Sequence, residues 1–240
     1  MERIKEYQLL LFGLFLAVGL IICTTITTKT LSRTGIDVTG SANQIVNSDF
    51  ASWRLEFSVK DPSMVNAYKK ISQQTNEIKK FLILNGIQDS EIATEKINTE
   101  PVYKRDERGN PTNQIDYYQF TRAFTVNSNE VSKITSISLA SQDLFSKGFQ
   151  INSSDPQYFY TKLDNLKVAL LEKATENAKQ RAESMLKSTG NRIGSIKSSQ
   201  MGVFQITPPN STEVSDYGIN DTSSVKKKVT AVVQAVFRIN

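Results

Sequence analysis

Leu9 to Ile26 read LLLFGLFLAVGLIICTTI, eighteen residues without a charge. That is close to the shortest apolar run that crosses a ~30 Å hydrocarbon core as a helix. No polar face interrupts it, as one would in a helix packed at the edge of a soluble core. The run divides the chain into a signal-anchor or transmembrane segment, residues 1–33, and a remainder, residues 34–240. A cleaved signal peptide wants small residues after the apolar core, and Cys23, Thr24 and Thr25 stand there without an A-x-A-like site. Ile22 before Cys23 also argues against a lipoprotein site. The expectation is therefore an uncleaved anchor. Arg3 and Lys5 precede the run and Lys29 and Arg33 follow it, with Glu2 and Glu6 diluting the first flank. Charge alone leaves the orientation open.

Two counts narrow the chemistry of the remainder. Histidine is absent, and the single cysteine is Cys23. A Ser-His-Asp triad, a cysteine nucleophile outside the N-terminal run, a His/Cys zinc site and a disulfide are all excluded. Residues 34–240 hold 25 basic and 22 acidic residues, which is not the concentrated basic face of a nucleic-acid binder. The densest run, Lys226-Lys227-Lys228, opens a strand pattern. Alternation sends its members to opposite faces, and the plain reading is a solubilising strand end.

Periodicity lays out an α+β domain of antiparallel sheets packed against helices. Ile36–Ala42 reads as a first strand. Ser52–Lys60 alternates cleanly, with Trp53, Leu55, Phe57 and Val59 on the core face. Asp61-Pro62 predicts a capped helix from Pro62 to about Asn85, with Met64, Tyr68, Ile71, Ile78, Phe81 and Leu82 on its stripe and Gly86 as left-handed cap. Glu91–Lys104 and Ile115–Val126 flank turn residues 106–111 as a long hairpin. A helix over Glu130–Gln142 and a short strand over Lys147–Asn152 follow. Asp155-Pro156 predicts the start of the longest helix, to about Thr189. Its stripe runs Phe159, Leu163, Leu166, Leu170, Ala174, Ala178, Ala182, Leu186, narrowing from Leu to Ala so that its C-terminal half can approach a neighbour closely. Arg192–Ile206 is strand-like, Thr207–Ser224 a polar loop, and Val225–Ile239 a last strand.

Several ordered pieces resemble the SIMPL-domain family of exported bacterial proteins, which includes periplasmic immunogenic proteins and an oxidative-stress-defence protein. They are Val38-Thr39-Gly40-Ser41-Ala42, Asn85-Gly86-Ile87, Ile92-Ala93-Thr94, Pro101-Val102-Tyr103 and Tyr118. The helix Ala174-x3-Ala178-Lys179-x-Arg181-Ala182-Glu183 ends in Gly190 and Ile193-Gly194, and Val229–Ile239 matches the family's closing strand. Ser41 departs from a second glycine. The resemblance implies an extracytoplasmic α+β domain that in some members forms large ring-like oligomers, and it implies no catalytic residue.

The remaining chemistry is thin. Ser195-Ile-Lys197-Ser198 is one chance arrangement for a Ser-Lys dyad. Asp216, Asn220 and Asp221 offer oxygens for calcium without EF-hand spacing. Tyr118, Phe120, Arg122 and Phe124 could stack bases but read as core. Asn152, Asn210 and Asn220 begin N-x-S/T sequons of no expected consequence. Neither Gly-rich phosphate motif occurs. No catalytic, cofactor-binding or metal-binding residue is assigned, and no cofactor is expected. The expectation is a non-enzymatic protein held by residues 9–26 as a single pass in the inner membrane, its domain in the periplasm, possessing no nucleic-acid partner. It would form a homo-oligomer or contact envelope proteins, in a stress-defence role. Val232 and Val236, apolar on the outer face of the last strand, are the expected subunit contact. The alternative is a ligand- or metal-binding envelope domain, or a hydrolase independent of His and Cys.

Overall fold

The computed structural model describes residues 13, 17–19 and 35–240. Residues 13 and 17–19 are helical; the rest of the expected anchor lies outside the described residues. Among the described residues no helix is long and apolar enough to cross a membrane, a statement that leaves strands aside. The described chain forms two compact units. The first takes residues 35–43, Leu166–Phe204 and Thr230–Asn240; the second takes Gln44–Asn165 and Gln205–Val229.

The elements run β1 (Gly35–Asn47), β2 (Phe50–Asp61), α1 (Met64–Leu84), β3 (Ile92–Thr94), β4 (Asn98–Arg105), β5 (Pro111–Ser128), α2 (Val131–Ala140), α3 (Asp143–Ser146), β6 (Gln150–Ser153), β7 (Gln157–Phe159), α4 (Leu163–Lys187), β8 (Ile193–Met201), β9 (Gln205–Thr207), β10 (Ile219–Asn220) and β11 (Lys226–Ile239). The class is α+β, with mostly antiparallel sheets and helices packed on them.

In the second unit, β2 lies between β5 on one side and β6 and β7 on the other, all antiparallel. Trp53 opposes Val126, and Leu55 opposes Phe124. The alternation of β2 works as expected: Trp53, Leu55, Phe57 and Val59 are buried. They meet Ile71, Ile78 and Leu82 of α1 and Ile134 and Ile137 of α2. Large interlocking side chains therefore make this core.

Three local readings change. Helix α1 is capped by Ser63, whose Oγ accepts from the Asn66 amide at 3.4 Å, while Asp61 accepts from the Ser63 amide at 2.8 Å and pairs with Lys70 at 2.7 Å. The helix thus starts two residues late; Ile71, Ile78 and Leu82 are buried as expected, joined by Ala67 and Thr75, whereas Met64 and Tyr68 are exposed. Asp155-Pro156 starts no helix. Gln157–Phe159 pairs with Phe50–Ser52, which buries Tyr158, and α4 begins only at Leu163. The strand expected over Arg192–Ile206 breaks after Met201 into β8 and β9.

The first unit sets small residues beside a few large ones, Leu170, Leu186 and Phe237 among them. β11 pairs β8, from Val233 opposite Met201 to Ile239 opposite Ile193, with two slips of register that leave Lys197 unopposed. Val38, Ala178, Ala182, Ala235 and Phe237 form the core. The Ala-rich half of α4 approaches β1 as expected, and the contact falls at Gly40. A Cβ there would lie 2.2 Å from the Ala174 carbonyl oxygen and 2.4 Å from the Ala178 nitrogen. The neighbouring main chain is held too: the Ser41 amide donates to Asn177 Oδ1 at 3.1 Å and Arg181 Nη1 donates to the Thr39 oxygen at 2.8 Å. Serine at 41 is thus no obstacle, because its side chain is not the group that meets the helix.

Candidate functional site

The second unit carries two concave regions. The first begins with the sequence Asp221-Thr-Ser-Ser. An aspartate followed two residues later by serine folds as a local turn: Asp221 Oδ1 accepts from the Ser223 amide at 2.9 Å and its hydroxyl at 2.7 Å, and Oδ2 accepts from Ser224 Oγ. Lys227 reaches the same residue. Its Nζ donates to the Asp221 carbonyl oxygen at 2.5 Å and lies 3.6 Å from Oδ2. Only 3% of the Lys227 side chain and 8% of Asp221 are exposed. Burial pushes the Asp221 carboxyl up, but the Ser224 and Ser223 hydrogen bonds and the Lys227 charge outweigh it, so its pKa is lowered. Burial dominates at Lys227 and holds its pKa down, against the pull of Asp221. The pair borders a cavity of about 110 Å³ walled by Tyr158, Tyr160, Leu163, Ile206 and Val229. Both Ser224 and Lys227 are spent on Asp221, so they do not form a nucleophile–base pair.

Lys227 corrects the reading of the basic run: alternation holds, but its middle member is an interior cation rather than a solubilising one. The signal was present, because Lys227 shares parity with Val229, Ala231 and Val233.

The second concave region is an open groove of about 690 Å³ lined by Asn47, Ser48, Asn129 to Ser132, Thr135, Ser136 and Val225. It lies at the N-terminal end of α2. Glu130 occupies the cap position of α2 but supplies no side-chain cap. Its carboxylate instead pairs with Lys133 at 2.6 Å, and its amide donates to Ser128 Oγ at 3.1 Å. Ser48 Oγ is buried without a partner among the described residues. Sequence patterning gave no hint of this groove, since Ser48 sits between two strands and the missing cap is visible only in three dimensions.

Other expected positions fall as follows. Ser195, Lys197 and Ser198 lie exposed on β8, with no hydrogen bond among them. Phe120 and Phe124 are core, and Arg122 donates to the Glu95 oxygen at 2.9 Å rather than offering a stacking face. Asp216 and Asp221 are not joined in a metal-ligating group; among the described residues no cluster of three His, Cys, Asp or Glu could hold a metal. Val232 and Val236 are half-buried by the chain itself: a Cβ on Gly35 would strike Val236 Cγ1 at 2.7 Å, and one on Gly202 would lie 3.5 Å from Val232 Cβ.

A family model named SIMPL, described as "Protein of unknown function (DUF541)", matches residues 36–237. No curated protein matches the chain.

Proposed function

The chain belongs to the SIMPL family, and on that footing we propose that it is a non-enzymatic envelope protein, tethered to the inner membrane by residues 9–26, with its domain in the periplasm. It works by self-association or by contact with other envelope proteins, in stress defence. Tethering raises the effective concentration of the domain, so that weak contacts suffice.

The observation that carries this reading is the end of the β4–β5 hairpin. Pairing of β5 with β2 stops at Tyr118, opposite Asp61, yet β4 and β5 continue to Arg105 opposite Pro111. On this two-stranded arm Tyr103 opposes Ile115, and the two are 45% and 40% exposed. A hairpin outside a sheet is marginal in water by itself, and an apolar cross-strand pair at its exposed end is suited to meeting another surface. The arm is braced at its turn, where Asp106 Oδ1 accepts from the amides of Arg108 and Asn110, both at 2.9 Å. Light scattering on the full chain in detergent tests the reading. A multimer that Tyr103→Asp with Ile115→Asp dissociates supports it, and a monomeric wild type refutes self-association.

A second reading, a ligand-binding envelope domain, is favoured by the open groove at the start of α2, where the helix has no side-chain cap.

A further inference from the structure

We propose that β4 is a docking edge for a second copy of this chain, whose own β4 lies antiparallel to it across a two-fold axis, with Val102 opposite Val102. This rests on the self-association reading and names the strand and the register. Among the described residues β4 pairs only with β5, so its other edge is open. Main-chain direction decides what that edge offers. The Glu95 amide donates to the Ala123 oxygen at 2.9 Å, so Ala123 turns its main chain toward the side of β5 that holds β3 and β4. β5 runs without a slip against β2 from Ser128 to Tyr118, and alternation turns Thr121, Gln119 and Tyr117 the same way. Their opposites Asn98, Glu100 and Val102 therefore direct their amides and carbonyls at β5. Thr99, Pro101, Tyr103 and Arg105 turn theirs outward.

Proline and charge deter edge pairing in general; here they leave one register open. Across a two-fold axis, antiparallel copies of one strand set residues of equal parity opposite each other, so the axis falls on a residue. With Glu100 or Lys104 on the axis, each faces its own charge. With Tyr103 there, Glu100 meets the partner's Asp106 and Val102 meets the partner's Lys104. With Pro101 there, the two prolines face each other without a donor. With Val102 there, Glu100 meets the partner's Lys104 on one face, twice over, and Pro101 meets the partner's Tyr103 on the other.

Main chain and apolar surface agree with that choice. The Tyr103 amide donates to the partner's Pro101 oxygen, and Thr99 and Arg105 exchange bonds with the partner's Arg105 and the partner's Thr99. Proline lacks a donor, but its carbonyl is the group this register uses. Pro101 and Tyr103 lie on the face that carries Tyr118 and Ile115, their opposites on β5. Tyr103 is 45% and Ile115 40% exposed, so two joined arms cover the apolar pair that each alone leaves in water. One four-stranded arm replaces two marginal two-stranded ones.

The test uses the full chain in detergent, followed by light scattering through a dilution series. Glu100→Lys sets lysine against lysine at both symmetric positions and should raise the dissociation constant about tenfold. Lys104→Glu should do the same, and the two changes together should restore the parent value. Both side chains are exposed, so the fold should hold. Val102→Cys in a Cys23→Ser background reads the register directly. Residues opposite each other in a non-hydrogen-bonded pair have Cα atoms about 4.5 Å apart, within disulfide reach. Mild oxidation should therefore cross-link Val102→Cys, and Tyr103→Cys far less. A multimer that survives Glu100→Lys, a double change that fails to restore it, or a Tyr103→Cys cross-link that outruns Val102→Cys overturns this edge while the self-association reading stands. A monomeric wild type removes both.

Discussion

The two units reach close packing by opposite means. In the second, large side chains interlock: Trp53, Leu55, Phe57 and Phe124 are each at most 1% exposed. In the first, side chains are withdrawn so that backbones can meet, at Gly40 against Ala174 and Ala178. A core of large groups fails when atoms are removed, because a cavity remains. A contact of small groups fails when atoms are added, because neither backbone can give way. The same substitution chemistry should therefore have opposite signs of tolerance in the two units.

Three substitutions sharpen or break that contrast. Phe124→Ala should have the largest effect, a loss of about 4 kcal/mol in urea unfolding. A loss below about 1 kcal/mol would mean that the second unit repacks freely. Gly40→Ala adds one carbon and should still cost about 3 kcal/mol. Hydrogen exchange should rise along Ala174–Leu186 while β2 and β5 stay protected; a neutral Gly40→Ala would end the backbone-contact account. Asp221→Asn should have the smallest effect, about 2 kcal/mol from weakened hydrogen bonds to a charged group.

Asp221 also makes a statement about pH. Its folded pKa is lowered, so its contribution is present above the ordinary aspartate value of 3.8 and is lost as the pH falls through the lower folded value. Thermal midpoints measured across that acid range should fall less steeply in Asp221→Asn than in the parent chain. Equal slopes would show that other carboxylates govern acid unfolding.

The strands were legible where one face is wet and the other dry. β2 and the core face of β11 follow parity, and the Leu-to-Ala gradient of α4 announced a close approach that Gly40 completes. Gly86 and Gly190 close their helices with φ of +89° and +76°, as their positions after apolar stripes suggested. Local signals failed where tertiary pairing competed. Asp155-Pro156 has the chemistry of a helix start, but pairing of Gln157–Phe159 with the first residues of β2 buries Tyr158 there instead. The cap of α1 moved from Asp61 to Ser63 because Asp61 has a better use, holding the Ser63 amide and Lys70. Of the two concave regions, the Lys227 cavity was readable from strand parity. The α2 groove was not, because its lining comes from the β1–β2 link, the start of α2 and Val225, which only the fold brings together.

The register slips along β8 bear on whether another strand could be laid against it. Nothing breaks the ladder from Ser198 to Met201, and then Lys197 stands without an opposite residue on β11. Irregularity and an added charge are both devices by which an outer strand resists being copied by the next chain. Any strand laid against this one would keep its alignment for a few residues and then lose it. Sheet extension through β8 is thereby self-terminating, and this edge is a poor template for fibres.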